Sequence, residues 1–591
     1  MNTNSPLDEV LSQWLGERFA AAFPGVPEAA KAGRVVPSAR PEFGDFQCND
    51  SMGLAKALHQ PPRKIAEAVI AGTEFPGVVT KLEVAGAGFI NITLDPAIIA
   101  EKAAAVGADE AHAGIPQIGA GRTVVIDYSS PNVAKPMHIG HVRSTVIGGA
   151  LDRLHRAVGY NVVADNHIGD WGTQFGIIIH GYRAFLDEKA LAEDPVEELQ
   201  RIYVKSYGMT KAAEDASDEE KAAAAAWLDA CRLETVKLQQ GDPENRALWQ
   251  EFIRLSRGTF DSIYDRLDIR FDTTRGESYY QDRLAGVVET LEKQGLAKES
   301  EGATIVDLTE EGLDVAIVRK RDGGFNYTTT DIATVATRME DYNPQRMIYV
   351  TDERQQLHFK QFFHITRKMG ICPESCDLIH VWFGLMRLPE GTISTRQGNL
   401  IKLKELLDEA HRRALEIVRR NHADWPQEEQ DALAEAIGCG AVKYADLSQD
   451  PRTLITFTWD KAMAIDGNSG PYLQYAYARI RSVLDKYAET FPGTDLSAYP
   501  LRLEDPIERT LALQIASFPS AVAKACDSFR PCVLADHLYQ LAQSYSSFYQ
   551  RLPFLKAEEG VRESRIRLCS LVAKVLATGL DLLGIRAPAR M

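Results

Sequence analysis

The sequence predicts a multidomain α/β protein. A parallel-sheet domain carrying a helical insertion is flanked by a small α+β domain before it and an all-α domain after it. Three observations predict this. The 591 residues are several times the usual length of one domain. Through the middle of the chain, β-branched runs alternate with helical stretches, the mark of βαβ units. From about residue 456 strand signals vanish while helical spacing continues.

Taken in order, residues 7–23 show a short helical pattern, and GFINITL at 88–94 reads as a strand. The stretch 113–121, AGIPQIGAG, is small, apolar and punctuated by Gly and Pro, which reads as a linker. TVVIDYS at 123–129 opens a new pattern, with a helix from about Gly140. Further β-like runs lie at 160–169, 304–308, 315–320, 346–352 and 378–384, and a parallel sheet is expected from them. Residues 185–260, Ala-rich and charged, read as a helical insertion. Domains are expected at 1–112, 113–455 and 456–591.

Composition narrows the function. With 45% hydrophobic and 25% charged residues the chain is ordinary globular material. Its net charge of −16 excludes an even basic coat, so any nucleic-acid contact must use a local patch. Residues 451–591 hold 17 Lys and Arg against 14 Asp and Glu, so the tail is slightly basic while the remainder is strongly acidic. No apolar run is long enough for a membrane span, and MNTNSPLDEV lacks the pattern of a secretory signal, so a soluble cytoplasmic protein is expected. The eight cysteines are too sparse for a disulfide scaffold. Cys372 and Cys376 lie close together, but no second Cys/His pair follows at zinc-finger spacing, so no structural zinc is expected.

The strongest chemical signal is His138-Ile139-Gly140-His141, where a strand hands over to a helix. A bare H-x-G-H arises by chance about once in fifty chains of this composition, so context must support it. Val142, Val146, Ile147, Ala150, Leu151 and Leu154 follow at helical spacing. Free amides and the dipole at a helix start favour phosphate, Gly140 permits close approach, and imidazoles can donate to phosphate oxygens. No Walker-type glycine loop is present. From these four residues alone, a phosphate site and a histidine pair that merely caps and packs the helix remain equally open.

SSPNVAKPMHIGHVRSTVIGGAL at 129–151 resembles the HIGH region of class I aminoacyl-tRNA synthetases, specifically the arginyl-tRNA synthetase family. The resemblance continues in DNHIGDWGTQFG (165–176), YTTTDIATVATR (327–338), TDERQQLHFKQFF (351–363) and RLPEGTISTRQGN (387–399). YLQYAYARIRSVL (472–484) and LLGIRAPARM (582–591) resemble that family's anticodon-binding domain, and RPEFGDFQCND (40–50) its tRNA-binding N-terminal addition. The resemblance implies a Rossmann-like catalytic domain. It also implies an ATP-dependent ligase that forms arginyl-adenylate, then passes arginine to the 3′-terminal adenosine of tRNA(Arg), with tRNA normally needed for the first step. Mg²⁺ would ride with ATP, and a monomer is expected.

By resemblance, His138, Gly140 and His141 bind ATP, and both histidines act on the transferring phosphate. The family's second signature, normally carrying two lysines, corresponds to 392–396 and has neither; Ser394, Thr395 and Arg396 stand there. Lys135, three residues before His138, would take over with Arg396. The altered loop keeps open a silent tRNA-binding relative. Arginine would be held by Asp127, Ser130, Asn132, His141, Tyr327, Asp331 and Gln355. Asp331 takes the guanidinium, and Tyr327, four residues earlier, shares its helix face. His167, Asp170, Gly172 and Gln174 are expected to line the pocket. In the tail, Arg479, Arg481, Lys486, Arg530, Tyr545 and Tyr549 are the RNA-binding candidates, since rings can stack on bases and cations reach phosphates. Tyrosines at helical spacing serve a core equally well.

Overall fold

The computed structural model describes residues 6–38, 40–72, 77–213, 215–388 and 402–591. They divide into two compact units: Gly119–Arg156 with Tyr160–Ala462, and Met1–Ile118 with Ala157–Gly159 and Met463–Met591.

The first of these is built on a four-stranded parallel sheet ordered Asp377–Phe383, Arg346–Asp352, Thr123–Asp127, Asn161–Asp165. Val124, Val125 and Ile126 are fully buried, as are Met347, Ile348 and Val350, the near-continuous apolar runs expected of strands covered on both faces. From Asp127 the chain crosses through the Ile139–Ala157 helix to Asn161–Asp165 on one side, and much later returns as Arg346–Asp352 on the other. This reversal leaves a crevice at the strand ends, where open α/β sheets bind ligands. The helix sits close because Gly148 faces Tyr128: a Cβ there would lie 2.3 Å from that side chain.

Between sheet strands the chain inserts the helices Glu188–Glu193, Pro195–Met209, Asp218–Gln240 and Pro243–Leu267. The Ala-rich member starts at a capping box in which Ser217 and Glu220 satisfy each other's amides. The runs at 304–308 and 315–320 do not join the parallel sheet. Ala297–Ser300, Ala303–Val306 and Ala316–Arg319 form a separate antiparallel sheet. Their connections are too short for the crossover that parallel neighbours require.

In the other unit, a four-stranded antiparallel sheet ordered Val35–Pro37, Phe46–Cys48, Phe89–Leu94, Val79–Ala85 packs with the helices Leu7–Ala22, Asp50–Leu58 and Pro62–Ile70. The tail helices are Gly470–Thr490, Pro506–Asp527, Cys532–Arg551 and Val561–Leu582. Both ends of the chain interlock here. Arg509 forks onto Asp45 at 2.8 and 2.6 Å, Ser520 and Lys524 donate to Asp8, and Lys574 donates to the carbonyls of Gly107 and Asp109. No described helix is long and apolar enough to cross a membrane.

Candidate active site

The strand ending at Asp127 runs into a loop that uses three left-handed, non-glycine residues: Ser129 (φ 70°), Ser130 (φ 47°) and Ala134 (φ 60°). Such conformations persist where surrounding bonds over-determine them. Here the amide of Ser129 donates to Ser144 Oγ, that of Ser130 to Asn166 Oδ1 and that of Ala134 to Ser256 Oγ. The loop delivers His138 to the start of the Ile139–Ala157 helix.

The two imidazoles there are locked. Gly140 N–H donates to His138 Nδ1 and His138 N–H donates to His141 Nδ1, each at 3.0 Å, and the ring centroids lie 4.0 Å apart. With Nδ1 accepting, the neutral ring carries its proton on Nε2. Burial holds His138 below the usual histidine range, assisted by Arg354 and Lys135, and burial with the neighbouring His138 pushes His141 down to about 3. Both are therefore neutral Nε2–H donors at physiological pH. A Cβ on Gly140 would lie 2.8 Å from His138 Cε1, so this glycine accommodates the histidine ring itself, an addition to its expected role toward phosphate.

A cavity of about 610 Å³ joins these histidines to an acidic slot. Strand register sets Asp127 beside both Asp165 and Tyr349. The buried Arg338 bridges the two acids, 2.6 Å from Asp127 and 2.8 Å from Asp165, under the Tyr349 ring. Further along, Tyr327 begins a helix and Asp331 lies one turn later; both line the cavity. Tyr327 is 67% exposed and free to cover a flat ligand, while Asp331 accepts from His358 Nε2 at 2.5 Å. Glu277 is also at the wall. Burial first, then Asp170 and Asp331, push its carboxyl up to about 8.

Asp127, Ser130, Asn132, His138, Gly140, His141, Tyr327, Asp331 and Gln355 are thus brought to one cavity. Asp127 is already engaged there, by Arg338 on one oxygen and Ser130 on the other. Lys135 is not part of the lining; its ammonium lies 5.2 Å over the Tyr203 ring. Ser394, Thr395 and Arg396 lie outside the described residues. Of His167, Asp170, Gly172 and Gln174, only His167 lines the cavity. Asp170 instead accepts from Ser278, and Gln174 donates to the Trp171 carbonyl beside Gly172. Sequence reasoning missed Glu277, His358, Arg338 and Arg354. His358 and Arg354 stood inside the 351–363 motif, whereas Glu277 carried no local signal.

In the other unit, the tail helices form a concavity of about 550 Å³ that includes Tyr475, Arg479, Lys486 and Tyr549, with the Arg479 guanidinium 3.8 Å over the Tyr549 ring. Arg481 and Arg530 lie off it, Arg481 facing Asp485. Tyr545 is 1% exposed, a core side chain that cannot stack on RNA; its position on the inner face of Cys532–Arg551 decides this.

A crevice at the sheet's switch point, a histidine pair on a helix start and an all-α domain later in the chain fit the class I aminoacyl-tRNA synthetases that the motifs resemble, and the family model of that class matches the chain. Residues 106–459 match the family model of the class I (R) tRNA synthetase catalytic domain, 473–591 the DALR anticodon-binding domain and 8–94 the arginyl-tRNA synthetase N-terminal domain. An arginine–tRNA ligase of Fusobacterium nucleatum is 45% identical over 544 residues, covering 92% of each chain. The arginyl-tRNA synthetase of Plasmodium falciparum superposes with a TM-score of 0.82 at 25% identity, covering 99% of each chain. That of Thermus thermophilus gives 0.80 at 25%, covering 99% of this chain and 100% of its own. The chain belongs to the arginyl-tRNA synthetases and is an arginine–tRNA ligase, using ATP, arginine and tRNA.

Proposed function

We propose that the cavity holds arginine and ATP together, with the guanidinium against Asp331, Glu277 and the Tyr327 ring and the phosphates against His138, Gly140 and His141. The observation that carries this reading is that one cavity is lined both by two locked Nε2–H donors and by a carboxylate slot. Asn132, Ser130 and Gln355 hold the α-amino and carboxylate end, and Asp127 keeps that wall negative. The substrate carboxylate attacks the α-phosphorus, pyrophosphate departs, and charge growing on the phosphate oxygens meets preorganised donors. Neutral imidazoles suit this, since they stabilise charge without exchanging a proton.

Mg²⁺ would ride with ATP and would add charge neutralisation there; Lys135, Arg396 and Arg354 supply further positive charge toward pyrophosphate, with Ser394 and Thr395 assigned to ATP binding beside Arg396. A 3′-terminal adenosine hydroxyl then attacks the adenylate's carbonyl, releasing AMP. Residues 1–112 and 456–591 hold tRNA, with Arg479, Lys486 and Tyr549 at the anticodon side, and 113–455 performs catalysis. The protein acts as a cytoplasmic monomer. The test is ATP–pyrophosphate exchange with each amino acid, with and without tRNA. Exchange should occur on arginine with tRNA; exchange on another amino acid instead would remove the pocket assignment.

A further inference from the structure

His358 and Asp331 sit on different helices, Gln356–Lys368 and Tyr327–Tyr342, yet their side chains meet at the cavity wall, Nε2 to Oδ2, at 2.5 Å. The contact is not buried in the core: the side chains are 29% and 24% exposed. The His358 ring is itself held by Phe362 and Phe359, with centroids at 5.3 and 5.8 Å. The described residues make no other hydrogen bond to this carboxylate. A guanidinium and a carboxylate pair best as coplanar forks, and an exposed carboxylate rotates about its last bond. One donor at Oδ2 removes that freedom while leaving Oδ1 and the remaining lone pairs open.

We propose that His358 is a positioning residue for arginine selection, fixing the plane of the Asp331 carboxylate against which the guanidinium lies. The inference rests on the reading of Asp331 as the guanidinium acceptor. Preorganisation of this kind improves binding by lowering the ordering cost paid when the ligand arrives.

Pyrophosphate exchange in the presence of tRNA tests it, with KM measured separately for arginine and ATP. His358→Leu should raise the arginine KM about 10-fold and leave the ATP KM within about twofold. His358→Gln, whose amide N–H can reach the position of Nε2, should recover most of the loss; His358→Asn, too short to reach, should not. Adding His358→Leu to Asp331→Asn should cost nothing further, because the two act as one unit. An unchanged arginine KM in His358→Leu beside a raised one in Asp331→Asn would overturn the positioning role and leave the pocket intact. An unchanged KM in Asp331→Asn would remove the pocket reading and this inference together. Equal shifts in both KM values, or Gln no better than Leu, would reduce His358 to a packing residue. If the Leu variant does not fold, the contrast between Asn and Gln decides.

Discussion

Around Asp127 and Asp331 the polar side chains are tied to charged or hydrogen-bonding protein partners, whereas around Arg479 cations and rings line an open concavity. In the catalytic cleft, Arg338 spans Asp127 and Asp165, His358 holds Asp331, and the two active-site imidazoles are each tied to a backbone amide. In the tail concavity, Tyr475 and Lys486 are exposed, and Arg479 lies on Tyr549. The difference teaches how each ligand is met. A small substrate undergoing phosphoryl attack needs atoms fixed to a fraction of an ångström, which only interlocked partners supply. A polyanion is gathered by accessible cations and rings, whose contribution is long-ranged and salt-sensitive.

The largest effect that would break this contrast is at Asp331. Asp331→Ala should raise the arginine KM by about 100-fold or more, as expected when a charged hydrogen-bond partner is lost, with little change in the ATP KM. Equal changes in both constants would place Asp331 outside the amino-acid pocket. Next come the phosphate-side cations. Lys135→Ala and Arg396→Ala should each reduce turnover in exchange by about 10-fold or more while tRNA affinity is retained. Full turnover in both would return the burden to Arg354.

A smaller effect follows from Glu277. Without ligand its carboxyl is protonated below about pH 8, because burial, Asp170 and Asp331 all oppose its charge. A guanidinium favours the carboxylate, so arginine binding expels a proton below that pH. The arginine KM should therefore fall as pH rises from about 6.5 to 8 and then level off, by at most about 10-fold per unit. Glu277→Gln should flatten the profile; a wild-type KM that does not vary with pH over this range would take Glu277 out of the slot.

The smallest effects sharpen the tail side. Arg479→Ala and Lys486→Ala should each weaken tRNA binding a few-fold and lower the salt slope by about one. Tyr545→Ala should leave that slope alone and instead destabilise the fold by about 3 kcal/mol or more, as large aromatic-to-alanine core changes do. Point substitutions are preferable to removing 456–591, since that deletion would strip Arg509, Lys524 and Lys574 from their partners in the first 118 residues.

Much of the architecture was legible in the chain. The strand at Arg346–Asp352, the helix from Ile139, the helical insertion and the tail helices all follow from hydrophobic period, because strand and helix geometry repeat over a few residues. The motif residues of the cavity were legible for a related reason: the strand-to-helix turn and one helix face bring each group together locally. The runs near 304 and 315 were misassigned to the parallel sheet, since local pattern identifies a strand without identifying its neighbour.

From the chain alone come the elements, their order and the chemistry carried on three short segments, 127–141, 327–331 and the stretch around Gln355. Tertiary structure alone decided that Glu277 would stand beside Asp331 and hold its proton, and that Arg338 would bridge Asp127 and Asp165, leaving the trio one negative charge in excess. It also decided that Tyr545 would turn inward while Tyr549 stayed on the concavity. The physical reason is common to all three. Burial and charge coupling depend on which distant segments come to share one poorly solvated volume, and nothing in a residue's immediate neighbours along the chain records that.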